Sequence, residues 1–205
     1  MDYCEFGSVE SLLDSAGEGM PEAAIRFVSR DVLLALAFLL EHSCPLKEVR
    51  CANILIDSKF NCKLGDYGAV EVAKEIMSKR SSAVGLPYWL APELLEGIAD
   101  FSTAVIWSFG ITCIEMAEIL PPNYQMHPMR ALFMLAKNAA PKLADETKWS
   151  PEFVQFVDSC LQKDVASRAD VKFLLKHQFV GNISGRKEEV ISSFINSAKQ
   201  SSRTF

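Results

Sequence analysis

The residue types able to do chemistry are few and scattered. Six cysteines stand at positions 4, 44, 51, 62, 113 and 160, and three histidines at 42, 127 and 177, with no CxxC or Cys/His ligand spacing. That pattern argues against a zinc site or a disulfide framework and predicts reduced, buried thiols. His127-Pro128-Met129 reads as a helix start, and all three histidines are expected to be structural. Two short polar stretches remain. Leu46-Lys47-Glu48-Val49-Arg50-Cys51-Ala52-Asn53 combines a carboxylate, two cations and an amide, and Asp66-Tyr67-Gly68 places a second carboxylate 18 residues after Glu48. Taken alone, Asn53 and Asp66 are turn residues with capping roles.

The surrounding elements must position these residues. From Ser102 to Leu120 apolar residues occupy every helical face, and the only charges, Glu115 and Glu118, lie near the end. Such a helix belongs inside a core. Ser102 or Thr103 is expected to cap it and Pro121-Pro122 to stop it. Upstream, Gly7 marks a turn and Ser8 the cap of a first helix. A long helix opens at Pro21, carries Ile25, Val28, Val32, Leu36, Leu39 and Leu40 as its apolar stripe, and closes at Pro45. Asn53-Ile54-Leu55-Ile56 and Asn61-Cys62-Lys63-Leu64 read as short strands around the turn Asp57-Ser58-Lys59. Residues 66–93 read as a loop. Pro128 opens a helix through Met134, Trp149, Phe153, Phe156, Val157, Cys160 and Leu161 stripe another, and Val190, Ile191, Phe194 and Ile195 give a short amphipathic helix.

With 205 residues, 49% hydrophobic and 23% charged, the chain can bury a full core, as one domain or as a large piece of one. A net charge of −5 without a basic block argues against nucleic acid as a partner. No signal-peptide pattern opens the chain, and its longest apolar run, Val32 to Leu40, is too short to span a membrane. A cytoplasmic location is expected.

Gly85-Leu86-Pro87-Tyr88-Trp89-Leu90-Ala91-Pro92-Glu93, followed by Ile106-Trp107-Ser108-Phe109-Gly110-Ile111-Thr112, closely resembles the protein-kinase large lobe. Asp66-Tyr67-Gly68 stands in the DFG position, Ala91-Pro92-Glu93 in the APE position, and Ala52-Asn53 at the end of the catalytic loop. Met1-Asp2-Tyr3-Cys4, Glu115-Met116-Ala117-Glu118 and His127-Pro128-Met129-Arg130-Ala131-Leu132-Phe133-Met134 resemble the sterile-20 (STE20) group, and within it the Hippo branch of Ser/Thr kinases. The resemblance implies an α+β, mainly α fold: a protein-kinase-like C-terminal lobe lacking the N-terminal β lobe. It covers 1–180, hinge to last kinase helix, with 181–205 as a C-terminal tail bearing a short amphipathic helix. Asn53 and Asp66 would be the metal positions, Cys4 the hinge contact and Leu55 the adenine floor. Ser82 aligns with the branch's activation phosphosite, and Glu93 and Arg168 with the family's buried ion pair.

The departures from the family's His-Arg-Asp-x-Lys-x-x-Asn loop are informative. Glu48 replaces the catalytic Asp and Arg50 the Lys two residues on; Leu86 replaces the Thr that bridges them, and Val105 the central-helix Asp that holds the loop backbone. Positions 46, 47, 48, 86 and 105 form one polar network in the family, and all five differ here. Val105 and Leu46 can replace a buried carboxylate and its partner by apolar contact, a swap that is often neutral when complete. The chain begins at hinge-like residues and encodes no Gly-rich loop, β3 Lys or αC Glu, parts on which phosphoryl transfer depends. Asp to Glu shifts the carboxylate by about a bond, a misplacement able to remove on the order of 10²-fold in rate.

The expectation is therefore a degenerate sterile-20-type kinase domain, a pseudokinase that binds or regulates within kinase signalling. The alternatives are an active ATP-dependent Ser/Thr kinase whose N-lobe is missing from a truncated chain, and a gene remnant without stable product. Mg–ATP is expected to bind weakly or not at all. Other proteins, a kinase or a scaffold, are expected on the open face of Tyr3, Leu55, the catalytic loop and Tyr67, with self-association assisted by Val190, Ile191, Phe194 and Ile195. Nucleic acid and membrane are not expected partners.

Overall fold

A helix that is apolar over most of its surface is stable only when other elements surround it. The computed structural model, which describes residues 3–44, 46, 48–65, 87–95, 97 and 100–201, meets that demand with a mainly helical fold. In chain order it comprises α1 (Val9–Ala16), α2 (Glu22–Glu41), β1 (Ile54–Ile56), β2 (Cys62–Leu64), α3 (Pro92–Leu95), α4 (Phe101–Glu118), α5 (Pro128–Lys137), α6 (Pro151–Cys160), α7 (Val171–Lys176), α8 (Gln178–Gly181) and α9 (Lys187–Ser201). Every residue of α4 from Ala104 to Ala117 is buried. It packs against α1, α2, α6 and the 3₁₀ turns Cys51–Asn53 and Pro87–Trp89. At Gly110 the approach of α6 is so close that a Cβ would stand 2.6 Å from Cys160 Cβ and 2.9 Å from the Leu161 side chain. Any larger residue would push the two helices apart.

The ends of α4 differ from the sequence expectation. Asp100, not Ser102 or Thr103, is the cap: its Oδ1 accepts from the Ser102 amide at 2.9 Å and hydroxyl at 2.6 Å. The helix starts at least two residues earlier than expected because an extended Asp100 reaches the orphan amides first. It ends at Glu118, ahead of the prolines, where Ile119 takes φ 72. A β-branched side chain is crowded in that left-handed conformation.

Elsewhere local chemistry and outcome agree. Ser8 caps α1 after a turn at Gly7, whose φ of 72 suits glycine. Strands β1 and β2 pair antiparallel, with Ile54 opposite Leu64 and Ile56 opposite Cys62. Asp57 Oδ1 closes their turn by accepting from the Lys59 and Asn61 amides, both at 2.9 Å. The segment before α1 lies beside β1, through Phe6 N to Ile56 O at 3.1 Å and Ile56 N to Gly7 O at 2.9 Å.

Helix α9 packs onto α1 and α2. Its residues Ile191, Phe194, Ile195 and Ala198 are buried in the common core, and Lys187 Nζ bonds Asp31 of α2. Ile191, Phe194 and Ile195, which the sequence offered as an aid to self-association, are covered by packing within the chain. Among the described residues no helix is long and apolar enough to cross a membrane.

Candidate functional site

The loop carrying Glu48, Arg50 and Asn53 runs along one face of α4, and polar side chains spaced four and three residues apart on that face hold its backbone. Ser108 Oγ accepts from Val49 N at 2.9 Å and donates to Val105 O at 3.0 Å. The Thr112 hydroxyl lies 2.7 Å from Val49 O and 2.8 Å from Ser108 O. One turn on, Glu115 Oε2 accepts from Cys51 N at 3.0 Å and from the Trp89 indole at 2.9 Å. Both backbone groups of Val49 are thus satisfied by hydroxyls, as burial demands. Sequence reasoning missed this anchor. Its signal was present: Ser108, Thr112 and Glu115 are the polar residues of one face on an otherwise apolar helix.

Val105 and Leu46 are both buried in the core. Glu48 Oε1 lies 3.8 Å from Arg50 Nε, with side-chain exposures of 14% and 27%. That is a charge contact without hydrogen-bond geometry, and Arg50 Nε is buried without a hydrogen-bond partner among the described residues. The replacement residues at the family's acid and cation positions thus face one another.

Asn53 closes the 3₁₀ turn leading into β1; its amide N donates to Arg50 O at 2.9 Å and its carbonyl accepts from Gly65 N at 2.7 Å. Among the described residues none hydrogen-bonds its side-chain amide. Leu55 bridges to Ser8, which sets the Cys4–Ser8 segment beside β1, an arrangement compatible with the hinge and adenine-floor roles implied for Cys4 and Leu55. Lys47, Asp66, Tyr67, Ser82 and Leu86 lie outside the described residues. No cluster of His, Cys, Asp or Glu able to hold a metal occurs among the described residues.

Glu93 and Arg168 meet as a bidentate pair, with Nη2 to Oε2 at 2.9 Å and side chains 4% and 0% exposed. Arg168 also donates to Thr103 O and Gln162 O, both at 2.9 Å, and lies over the Trp107 ring. The pair joins α3 to α4 and to the connection before α7, 75 residues away in sequence. The histidines serve helix ends: His127 and His177 Nδ1 accept from Met129 N and Phe179 N, and His42 bonds Phe38 O.

Burial pushes the thiols of Cys51, Cys62, Cys113 and Cys160 upward, Cys113 to about 12. These thiols are held inert. Burial also raises the Glu115 carboxyl from 4.5 to about 7, opposed by its bonds from Cys51 and Trp89.

The order and geometry of these parts are those of one lobe of a known domain, and the protein kinase domain family model matches residues 1–180. The chain belongs to the protein kinase family. It is 37% identical over 186 residues to the serine/threonine-protein kinase hippo of Drosophila melanogaster, covering 91% of this chain and 28% of that protein. It is 40% identical over 182 residues to serine/threonine-protein kinase 4 homolog A of Dictyostelium discoideum, covering 88% and 40%. Against serine/threonine-protein kinase cst-1 of Caenorhabditis elegans it is 37% identical over 185 residues, covering 90% and 37%. These relatives are sterile-20-type kinases, and this kinase lobe is of their Hippo-like kind. The chain spans less than half the length of each of them.

Proposed function

We propose that this kinase lobe is catalytically degenerate and works as a binding or regulatory module in kinase signalling. The supporting observation is the construction of the loop. Apolar Val105 and Leu46 fill the core, hydroxyls and Glu115 hold the backbone, and Glu48 and Arg50, the replacements for the catalytic acid and its cation, lie 3.8 Å apart. A buried polar network replaced as a whole leaves the scaffold stable, whereas chemistry that relies on placing a base and a cation does not survive the exchange.

The partner in this reading is another protein, a kinase or scaffold, on the face that includes Tyr3, Leu55 and the catalytic loop. Tyr3, 85% exposed, offers an aromatic side chain on that face. Mg–ATP, where it binds, would use Asn53 together with Asp66, with Leu55 and Cys4 toward the base. The buried thiols fit a reducing, cytoplasmic setting. A second reading, an active Ser/Thr kinase whose small lobe lies on a longer product, draws on the partial coverage of the relatives. Charge introduced by Leu55→Glu should weaken association, read by analytical ultracentrifugation and pull-down, while Lys172→Glu should not. A parent chain that stays monomeric at high concentration and captures no protein contradicts the binding role.

A further inference from the structure

Glu115 joins two stretches of chain that are far apart in sequence. Its Oε2 receives the Cys51 amide from the catalytic-loop turn and the Trp89 indole from the turn before α3. The residue is 2% exposed. Among the described residues no cation pairs with it. The titratable groups that face it are Glu10 of α1, a like charge, and the buried Cys51 thiol. The charged pair Glu93–Arg168 belongs to the other end of α4, at Thr103. Two neutral N–H donors and a like charge are a poor setting for a buried carboxylate.

We propose that Glu115 is the positioning residue of the catalytic loop, and that one proton on its carboxyl tightens the loop against α4 while loss of that proton loosens it. The inference is independent of whether the lobe transfers phosphate, because it concerns how residues 49–53 are held.

The direction follows from linkage. In the closed loop burial lifts the Glu115 carboxyl from 4.5 to about 7. Opening the loop would return it to water and to its ordinary range. The closed loop therefore binds the proton more tightly than the open one, and protonation favours closure. The loop is tightest below about pH 4.5, loosens as pH rises toward 7, and levels off above it. Within that window the opening equilibrium changes by up to tenfold per pH unit.

Two readouts on the purified chain test this. The Trp89 indole N–H resonance, which reports on its bond to Glu115, should titrate with a midpoint near 7, whereas the Trp107 and Trp149 indoles should not. Amide exchange at Cys51, corrected for intrinsic rate, should lose protection from pH 5 to 7 and then flatten. Glu115→Gln keeps an acceptor oxygen without a titrating proton, so it should keep protection and abolish the pH profile. Glu10→Gln should move the indole midpoint downward by removing the like charge. A Trp89 indole without inflection between pH 5 and 8, or a Cys51 profile unchanged by Glu115→Gln, would overturn the proposal. Should Glu115→Gln fail to fold, the indole titration of the parent chain decides alone.

Discussion

Two buried carboxylates in one core have been given opposite surroundings. Glu93 is matched by Arg168, which lies over Trp107 and spends its remaining donors on backbone carbonyls. Glu115 has no cation among the described residues, only two neutral N–H groups and a like-charged neighbour. The first arrangement is a matched, bidentate ion pair and behaves as scaffold. In the second, burial lifts the carboxyl to about 7, which on the proposal above makes the element it holds adjustable. The difference separates what the lobe needs in order to fold from what it needs in order to move.

The largest effect should come from breaking the matched pair. Arg168→Met leaves Glu93 buried and uncompensated and should lower stability by about 3–5 kcal/mol, read from the urea midpoint. A loss below 1 kcal/mol would mean that the pair is not scaffold.

Next comes the unmatched carboxyl. Its folded-state value is raised, so its stabilising contribution is present in full below pH 4.5 and is lost as pH rises through about 7. The loss should approach roughly 3 kcal/mol. Comparing urea unfolding of the parent and Glu115→Gln at pH 5 and 8 isolates it; equal pH slopes in the two proteins would remove the contrast with Glu93.

A third carboxylate can be added to the same helix. Val105→Asp introduces a buried charge without partners and should destabilise by about 1–3 kcal/mol. An unchanged denaturation midpoint would mean that the core around 46 and 105 is not the apolar substitute it is taken to be.

The smallest change lies at the helix end. Ile119 adopts φ 72, and Ile119→Gly should relieve crowding and stabilise by about 1 kcal/mol. Thermal unfolding that shows a loss instead would place the value of Ile119 in its packing.

Much of this architecture was legible beforehand. The predominantly apolar run at 104–117 announced a central helix, Ser8 and Gly7 announced α1, and the turn around Asp57 announced the hairpin. Glu93 and Arg168 carry no local signal of pairing, and only the family resemblance connected them. Glu115 was harder to read because its partners are a backbone amide and an indole, and a pattern of side chains does not encode where backbone donors end up. The stripe on α9 showed that an apolar partner was needed without showing that α1 and α2 supply it. Asp100 was overlooked as a cap because Ser102 and Thr103 are also good cap residues, and cap choice depends on which backbone turns extended.

The central claim is that this lobe keeps its loop in place without keeping its chemistry. Phosphate transfer to generic Ser and Thr substrates, measured with Mg–ATP on the longest natural product that contains the chain, tests it most directly. The account predicts no transfer above a no-enzyme control; turnover that is present in the parent and abolished by Asp66→Ala would contradict it.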